Sequence, residues 1–211
     1  METLRSLDDV ADVVAATIRS DRRVVVGIVG APGAGKSTLA EQLVEVLYPS
    51  AVLLAMDGFH LPQARLVELG RRDRMGAPDT FDVDGFLATL IAIRRGYGER
   101  GNVVVAPGFD RVREEPIPDA IDIESSFPCV VLEGNYLLLN ADGWERTAPM
   151  LDLTFYLDLA DDVRIERLIG RHERFGKSPE DARAWALGPD ETNAQLIEAT
   201  AERADYRIAL G

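Results

Sequence analysis

Cysteine is nearly absent: Cys129 is the single thiol in 211 residues. A disulfide framework within the chain is thereby excluded, and so is a thiolate metal cage, since both need several thiols. Cys129 opens the apolar run Cys129-Val130-Val131-Leu132 and is expected in the core. Lysine is almost as scarce, with Lys36 and Lys177 the two among 23 basic residues. Arginine is the default cation here, so an arginine count says little, whereas a lysine in a special place says more. Net positive charge is missing too. The 36 acidic residues leave a formal charge of −13, which argues against nucleic acid or an anionic membrane as partner. No apolar run reaches membrane-spanning length. Met1–Ser20 reads as an acidic amphipathic helix and not as a secretory leader. The expectation is a soluble, cytoplasmic protein with one domain over 1–211, burying roughly 70% of its unfolded surface.

What is there begins with Gly30-Ala31-Pro32-Gly33-Ala34-Gly35-Lys36-Ser37, a full match to G-x-x-x-x-G-K-[ST]. Val24–Val29 before it reads as a buried parallel strand, and Thr38–Leu47 after it as a helix with Leu39, Leu43, Val46 and Leu47 at helical spacing. Glycines let backbone N–H groups point inward at a strand-to-helix turn, and the helix N-terminus adds partial positive charge. The stretch from Gly30 to Thr38 is therefore assigned to nucleotide phosphate, with Lys36 on the outer phosphates and Ser37 on Mg²⁺.

Further strand-like runs stand at Ala51–Met56, Val103–Ala106, Cys129–Leu132, Leu153–Leu157 and Arg207–Leu210. A helix is predicted after a cap at Asp82, and loops at Gly70–Asp79 and Pro107–Pro118. Alternating strands and helices imply a mostly parallel sheet covered on both faces. Such a sheet gathers ligands at the carboxyl ends of its strands, so the residues after each run are site candidates: the phosphate loop, Asp57, Pro107–Asp110, Glu133 and Asp158. Asp57 can take the proton of an attacking hydroxyl or hold a Mg²⁺ water; the other role open to it is capping a helix that begins near Leu61. Glu133 suits the metal or its waters, or else pairs with an arginine. Arg164, Arg167, Arg171 and Arg174 step by three, four and three along one helix face, either as a lid that stabilises transferred charge or as a solvated face. His60 is a candidate substrate contact, while His172 reads as a surface residue.

Taken in order, Gly30–Ser37, Asp57-Gly58-Phe59-His60, Pro78-Asp79-Thr80-Phe81-Asp82 and Leu132-Glu133-Gly134 make the chain resemble the uridine kinase, pantothenate kinase and phosphoribulokinase group from Val24 to Leu210. It is most similar to small bacterial members described as fructose-transport-associated sugar kinases. The resemblance implies an α/β three-layer P-loop fold with a five-stranded, mostly parallel sheet and a helical lid near 161–190. It implies ATP and Mg²⁺ as cofactors, a small-molecule acceptor, and leaves homodimer formation open. Asp57 matches the general base, Glu133 the second acidic position near the metal, and Arg167 and Arg171 the lid arginines. Asn193, within Gly188–Asn193, falls where nucleotide or substrate is touched. Phe59, His60, Phe109, Asp110, Arg113 and Tyr136 are the substrate-side candidates.

Two departures bear on the acceptor. Uridine kinases carry an Asp two residues before the Pro-Asp pair, where this chain has Gly76. They also carry Tyr-Asp with a histidine close behind, where this chain reads Phe109-Asp110-Arg111-Val112-Arg113. Both weaken nucleoside recognition, because a site shaped around a hydroxyl discriminates strongly. The leading reading is an ATP-dependent kinase acting on a sugar such as fructose; nucleoside or pantothenate as acceptor, and a nucleotide-binding module without transfer, are the alternatives. A GTPase would carry Asn-Lys-x-Asp, which neither lysine joins.

Overall fold

Val24–Val29 is buried along its whole length, a state that demands apolar layers on both faces and partners on both edges. The computed structural model describes residues 1–210 and meets that demand. In chain order the elements are β1 (Glu2–Leu4), α1 (Leu7–Thr17), β2 (Val24–Val29), α2 (Lys36–Leu47), β3 (Ala51–Ala55), α3 (Gln63–Glu68), α4 (Val83–Arg95), β4 (Val103–Asp110), β5 (Glu115–Glu124), β6 (Cys129–Glu133), β7 (Leu153–Leu157), α5 (Asp161–Arg174), α6 (Pro179–Leu187), α7 (Pro189–Glu198) and β8 (Tyr206–Ile208).

Six strands form one sheet in the order β1-β8-β7-β2-β6-β3, with every adjacent pair parallel. Val10 and Val14 of α1 and Leu39 and Leu43 of α2 pack on one face. Phe86 and Leu90 of α4, Trp144 and Ile197 of α7 pack on the other. This is the expected three-layer α/β arrangement, with six strands in the sheet where five were anticipated. Cys129 is fully buried, as its apolar setting implies, and burial pushes its thiol up to about 12. Among the described residues no helix is long and apolar enough to cross a membrane.

Two expectations are corrected. The N-terminal helix does not begin at the first residues: Glu2–Leu4 pairs with β8, and Ser6 caps α1 in a capping box with Asp9. Nor does Val103–Ala106 join the parallel sheet, and Pro107–Pro118 is not simply a loop. Both belong to an antiparallel hairpin, β4–β5, in which Phe109 faces Pro116. Prolines signalled a loop, yet a two-stranded ribbon has open edges where a missing N–H costs nothing. The hairpin rests on the α4 face through Ala106 and Ile123.

Asp152 clamps the amino end of the sheet. Its carboxylate accepts the Val25 N–H at 2.8 Å and Arg94 Nη2 at 2.7 Å, and also pairs with Arg22. Burial opposes its ionisation, but the Val25 N–H and the two arginines outweigh burial and hold the carboxyl below its ordinary value. Asp152→Ala is expected to destabilise by about 2–4 kcal/mol at pH 7, because two arginines and an amide lose their partner. A lowered folded value means the contribution is present above the unfolded carboxyl's pKa of about 3.9 and lost as pH falls through the folded one. Urea midpoints for chain and variant should therefore converge in acid; a constant gap from neutral to acid pH would contradict the assignment.

Candidate active site

The carboxyl edge of the sheet collects the chemistry. β2 runs into the phosphate loop, β3 into Asp57 and β6 ends on Glu133. At Gly35 the backbone is left-handed (φ 100°), a conformation an L side chain resists, and the turn directs α2's first amides toward the loop. Lys36 is buried, and its Nζ donates to the Ala31 carbonyl at 3.1 Å. Burial lowers its pKa to about 8, against the opposing pull of Glu133 and Asp57. A bound polyphosphate would restore the full charge, so the lysine is poised for an anion.

Ser37 Oγ donates to Glu133 Oε1 at 3.1 Å. Burial raises the Glu133 pKa, and the Asp57 charge adds to it; Lys36, Arg111 and the Ser37 hydroxyl offset part. Asp57 sits in a short 3₁₀ turn, Met56–Phe59, with Arg111 Nη2 at 2.9 Å from its Oδ2. Burial opposes its ionisation, yet His60, Arg111, Lys36 and Arg171 together hold its carboxyl below the ordinary range. The capping role is excluded, since α3 begins at Gln63 behind Pro62 with no side-chain cap.

Two cavities meet here. One of about 400 Å³ runs along Gly33–Thr38 under Arg167, Arg171 and Arg174. The other, about 150 Å³, is walled by Asp57, His60, Phe81, Phe109, Trp185 and Asn193. Lys36, Ser37, Arg111 and Arg171 border both. Arg167 Nη1 stands over Gly35, 3.7 Å from where its Cβ would be. Arg164 is not with them: its side chain is 1% exposed and pairs with Asp161 and Glu191, fastening α5 to α7. Asp158 likewise pairs with Arg207, at 3.0 Å.

The substrate-side candidates divide. His60 lies between the rings of Phe81 and Phe109, at 4.0 and 4.7 Å, and its Nδ1–H donates to the Asp57 carbonyl at 2.8 Å. Phe59, one residue earlier, points the other way and packs edge-on against Phe86 in the core. Asp110 is spent on its own turn, accepting the N–H groups of Val112 and Arg113, and Arg113 is 82% exposed. Tyr136 is buried, and its hydroxyl donates to the Gly76 carbonyl at 2.5 Å. Asn193 donates to that same carbonyl at 3.2 Å, on the Phe109 side of the site. Tyr136 and Asn193 thus shape the rim at Gly76. The two motif segments 57–60 and 78–82 are neighbours because they pair: Asp82 N–H donates to the Phe59 carbonyl, and Leu61 N–H to that of Thr80.

Sequence reasoning missed Arg111, Glu114, His172, Lys177, Trp185 and Asp190, all of which line the smaller cavity. Glu114 holds Arg72 at 2.5 Å and Lys177 at 3.3 Å, and Lys177 Nζ lies 4.8 Å from the Trp185 ring centre. His172 is not a surface residue: its Nε2 meets Asp190 Oδ2 at 2.7 Å. One signal was available, since Lys177 is one of two lysines in an arginine-rich chain.

A parallel sheet ending in a phosphate loop, two carboxylates and facing arginines defines a P-loop kinase, an ATP-dependent phosphotransferase acting on hydroxyl groups. The chain belongs to the Phosphoribulokinase / Uridine kinase family, whose profile matches residues 25–209. A solved structure described as a "putative fructose transport system kinase" from Silicibacter sp. TM1040 is 33% identical, with a TM-score of 0.87 over 97% of this chain and 99% of that one. Protein YggC of Escherichia coli (strain K12) is 31% identical over 201 residues, 92% of this chain and 81% of its own. A pantothenate kinase of Sinorhizobium medicae (strain WSM419) is 33% identical over 152 residues, which are 66% of this chain and 44% of that protein.

Proposed function

We propose that this kinase passes the γ-phosphoryl group of ATP to a hydroxyl of a small uncharged polyol, a sugar such as fructose. The observation that carries the reading is the junction of the cavities: a phosphate cradle opens through Lys36, Ser37, Arg111 and Arg171 onto a polar pocket that holds Asp57. The acceptor's O–H gives its proton to Asp57 while its oxygen bonds to the γ-phosphorus; the bridging oxygen then leaves with ADP. Lys36, Arg167 and Arg171 face the charge that spreads over the equatorial oxygens. Helices α5 and α6 supply those arginines and Trp185, which makes 161–190 the lid of this reading. Ser37, Glu133 and Asp57 are hard oxygen donors of the kind that, with phosphate oxygens, suit Mg²⁺, whose charge would neutralise the β- and γ-phosphates.

An uncharged acceptor is the reading that the pairing on its side of the site favours. Arg111 is paired with Asp57 and Lys177 with Glu114. Lys36 and Arg171 pair with no carboxylate among the described residues, but they also border the phosphate cavity and are assigned above to ATP. A carboxylate or phosphate on the acceptor would therefore compete with Asp57, Glu114 or the nucleotide for its cation. The similarity to a fructose transport system kinase in the Silicibacter structure's description supports a sugar. The test is an ADP-release screen against fructose, related sugars, nucleosides, pantothenate and glycerate. Turnover is expected with one or more neutral sugars. A response confined to nucleosides would overturn the weight placed on Gly76, and one confined to anionic acceptors the charge argument. ATP binding without release on any acceptor would favour a module that binds nucleotide without transfer.

A further inference from the structure

The hairpin turn between β4 and β5 carries Arg111, a residue given no role above beyond its ion pair. That turn is anchored on several sides. Gln63 N–H donates to Glu115 Oε1 at 3.2 Å, and Gln63 Nε2 donates to the Arg113 carbonyl at 2.5 Å. Glu114, held in the left-handed region (φ 53°), ties Arg72 and Lys177 to the same turn. Arg111 is therefore a placed side chain, whereas its neighbour Arg113 lies in solvent. Its Nη2 meets Asp57 at 2.9 Å, and among the described residues its Nε and Nη1 meet no other partner. A guanidinium has five N–H donors in a rigid fork, so one contact leaves most of them free. The group borders the phosphate cavity as well as the acceptor pocket.

We propose that Arg111 is a catalytic residue of this kinase, a bridge whose one edge holds the Asp57 carboxylate while its free N–H groups hold the phosphoryl group in transfer. The inference rests on the kinase reading above and adds to it a cation delivered by the hairpin, separate from those of α5. A planar fork fixes the distance and angle between base and phosphorus; a point charge cannot do this. It also accounts for an arginine on a general base. An ion pair alone would weaken the base to no purpose, while a shared guanidinium aligns it with the group under attack.

The experiment compares Arg111→Ala, Arg111→Lys and Arg113→Ala with the unaltered chain. Turnover uses the acceptor found by the ADP-release screen, and binding of ADP and of ADP–aluminium fluoride, a mimic of the phosphoryl group in flight, is measured by calorimetry. Arg111→Ala is expected to lower kcat by about 10²–10³-fold, the range for removing one preorganised donor from a transition state. ADP affinity should stay within about threefold, as expected for a contact made in the transition state and not in the ground state. The added affinity for fluoroaluminate should fall by a similar factor, about 10²–10³-fold, and guanidinium ion in solution should restore part of kcat. Arg111→Lys keeps the ion pair but should still lose at least about tenfold, and it carries the test where the alanine variant does not fold. Arg113→Ala should match the unaltered chain. Full kcat, or unchanged fluoroaluminate affinity, in both Arg111 variants overturns the proposal. An unaltered chain that releases no ADP with any acceptor counts against the kinase reading, and the fluoroaluminate measurement then decides Arg111 alone.

Discussion

Asp57→Asn is expected to abolish transfer and leave nucleotide binding intact. The amide has the carboxylate's shape and keeps an oxygen for Arg111, so the pocket's packing and the hairpin's position should persist. What it cannot do is accept a proton. Loss of a positioned general base lowers turnover by about 10²–10⁴-fold, and because the proposed role of Asp57 is on the acceptor hydroxyl, the loss should fall on kcat. ATP affinity should be unchanged or slightly higher, since one negative charge beside Lys36 disappears. Equilibrium titration with a non-hydrolysable ATP analogue and steady-state turnover measure the two halves separately. Near-normal turnover would remove Asp57 from its role; loss of nucleotide binding would make it a structural acid.

Gly58→Ala, at a residue that touches no ligand in this reading, should be nearly as damaging. A Cβ there would overlap the Pro107 carbonyl oxygen and stand 2.8 Å from its carbon and 3.3 Å from Gly108 N. All three are backbone atoms, so no side chain can rotate away. Either the Asp57 turn or the base of β4 must retreat, and β4 leads to Phe109 and Arg111. A displacement of 1 Å at a reacting centre can cost about 10²-fold in rate, and overpacking of this kind costs about 1–3 kcal/mol in stability. The expected result is a folded variant with a modestly lower Tm and a kcat/KM reduced by about two orders of magnitude. Full activity with full stability would mean that the hairpin is free to shift and that its contact with Gly58 positions nothing.

The phosphate loop was legible because its chemistry is contiguous: strand, turn and helix follow one another, and eight successive residues build the cradle. Asp57 and Glu133 were legible for a related reason, since both close apolar runs that a parallel layout aligns along one edge. Phe59 shows where that reading fails. It shares a motif with Asp57 and His60, but the 3₁₀ turn sends its ring into the core and the imidazole of His60 into the cavity. The arginine series divides on the same ground. Arg167 and Arg171 border the phosphate cavity, while Arg164, on the flank of the same helix arc, turns to Glu191. Arg111 was passed over because its turn read as loop, and nothing local tells that a hairpin folds back onto Asp57.

From residue order alone came the class of chemistry, ATP phosphates held by backbone amides with a carboxylate nearby, because such a cradle needs only neighbours in the chain. The tertiary structure alone decided which side chains line the smaller cavity. Arg111 and Glu114 from the hairpin, Lys177 and Trp185 from the segment after α5, and Asp190 and Asn193 from α7 meet there across as many as 81 intervening positions. Which side chain of a motif faces a cavity, and which cation is already neutralised, depends on packing between elements, and no spacing along the chain records it.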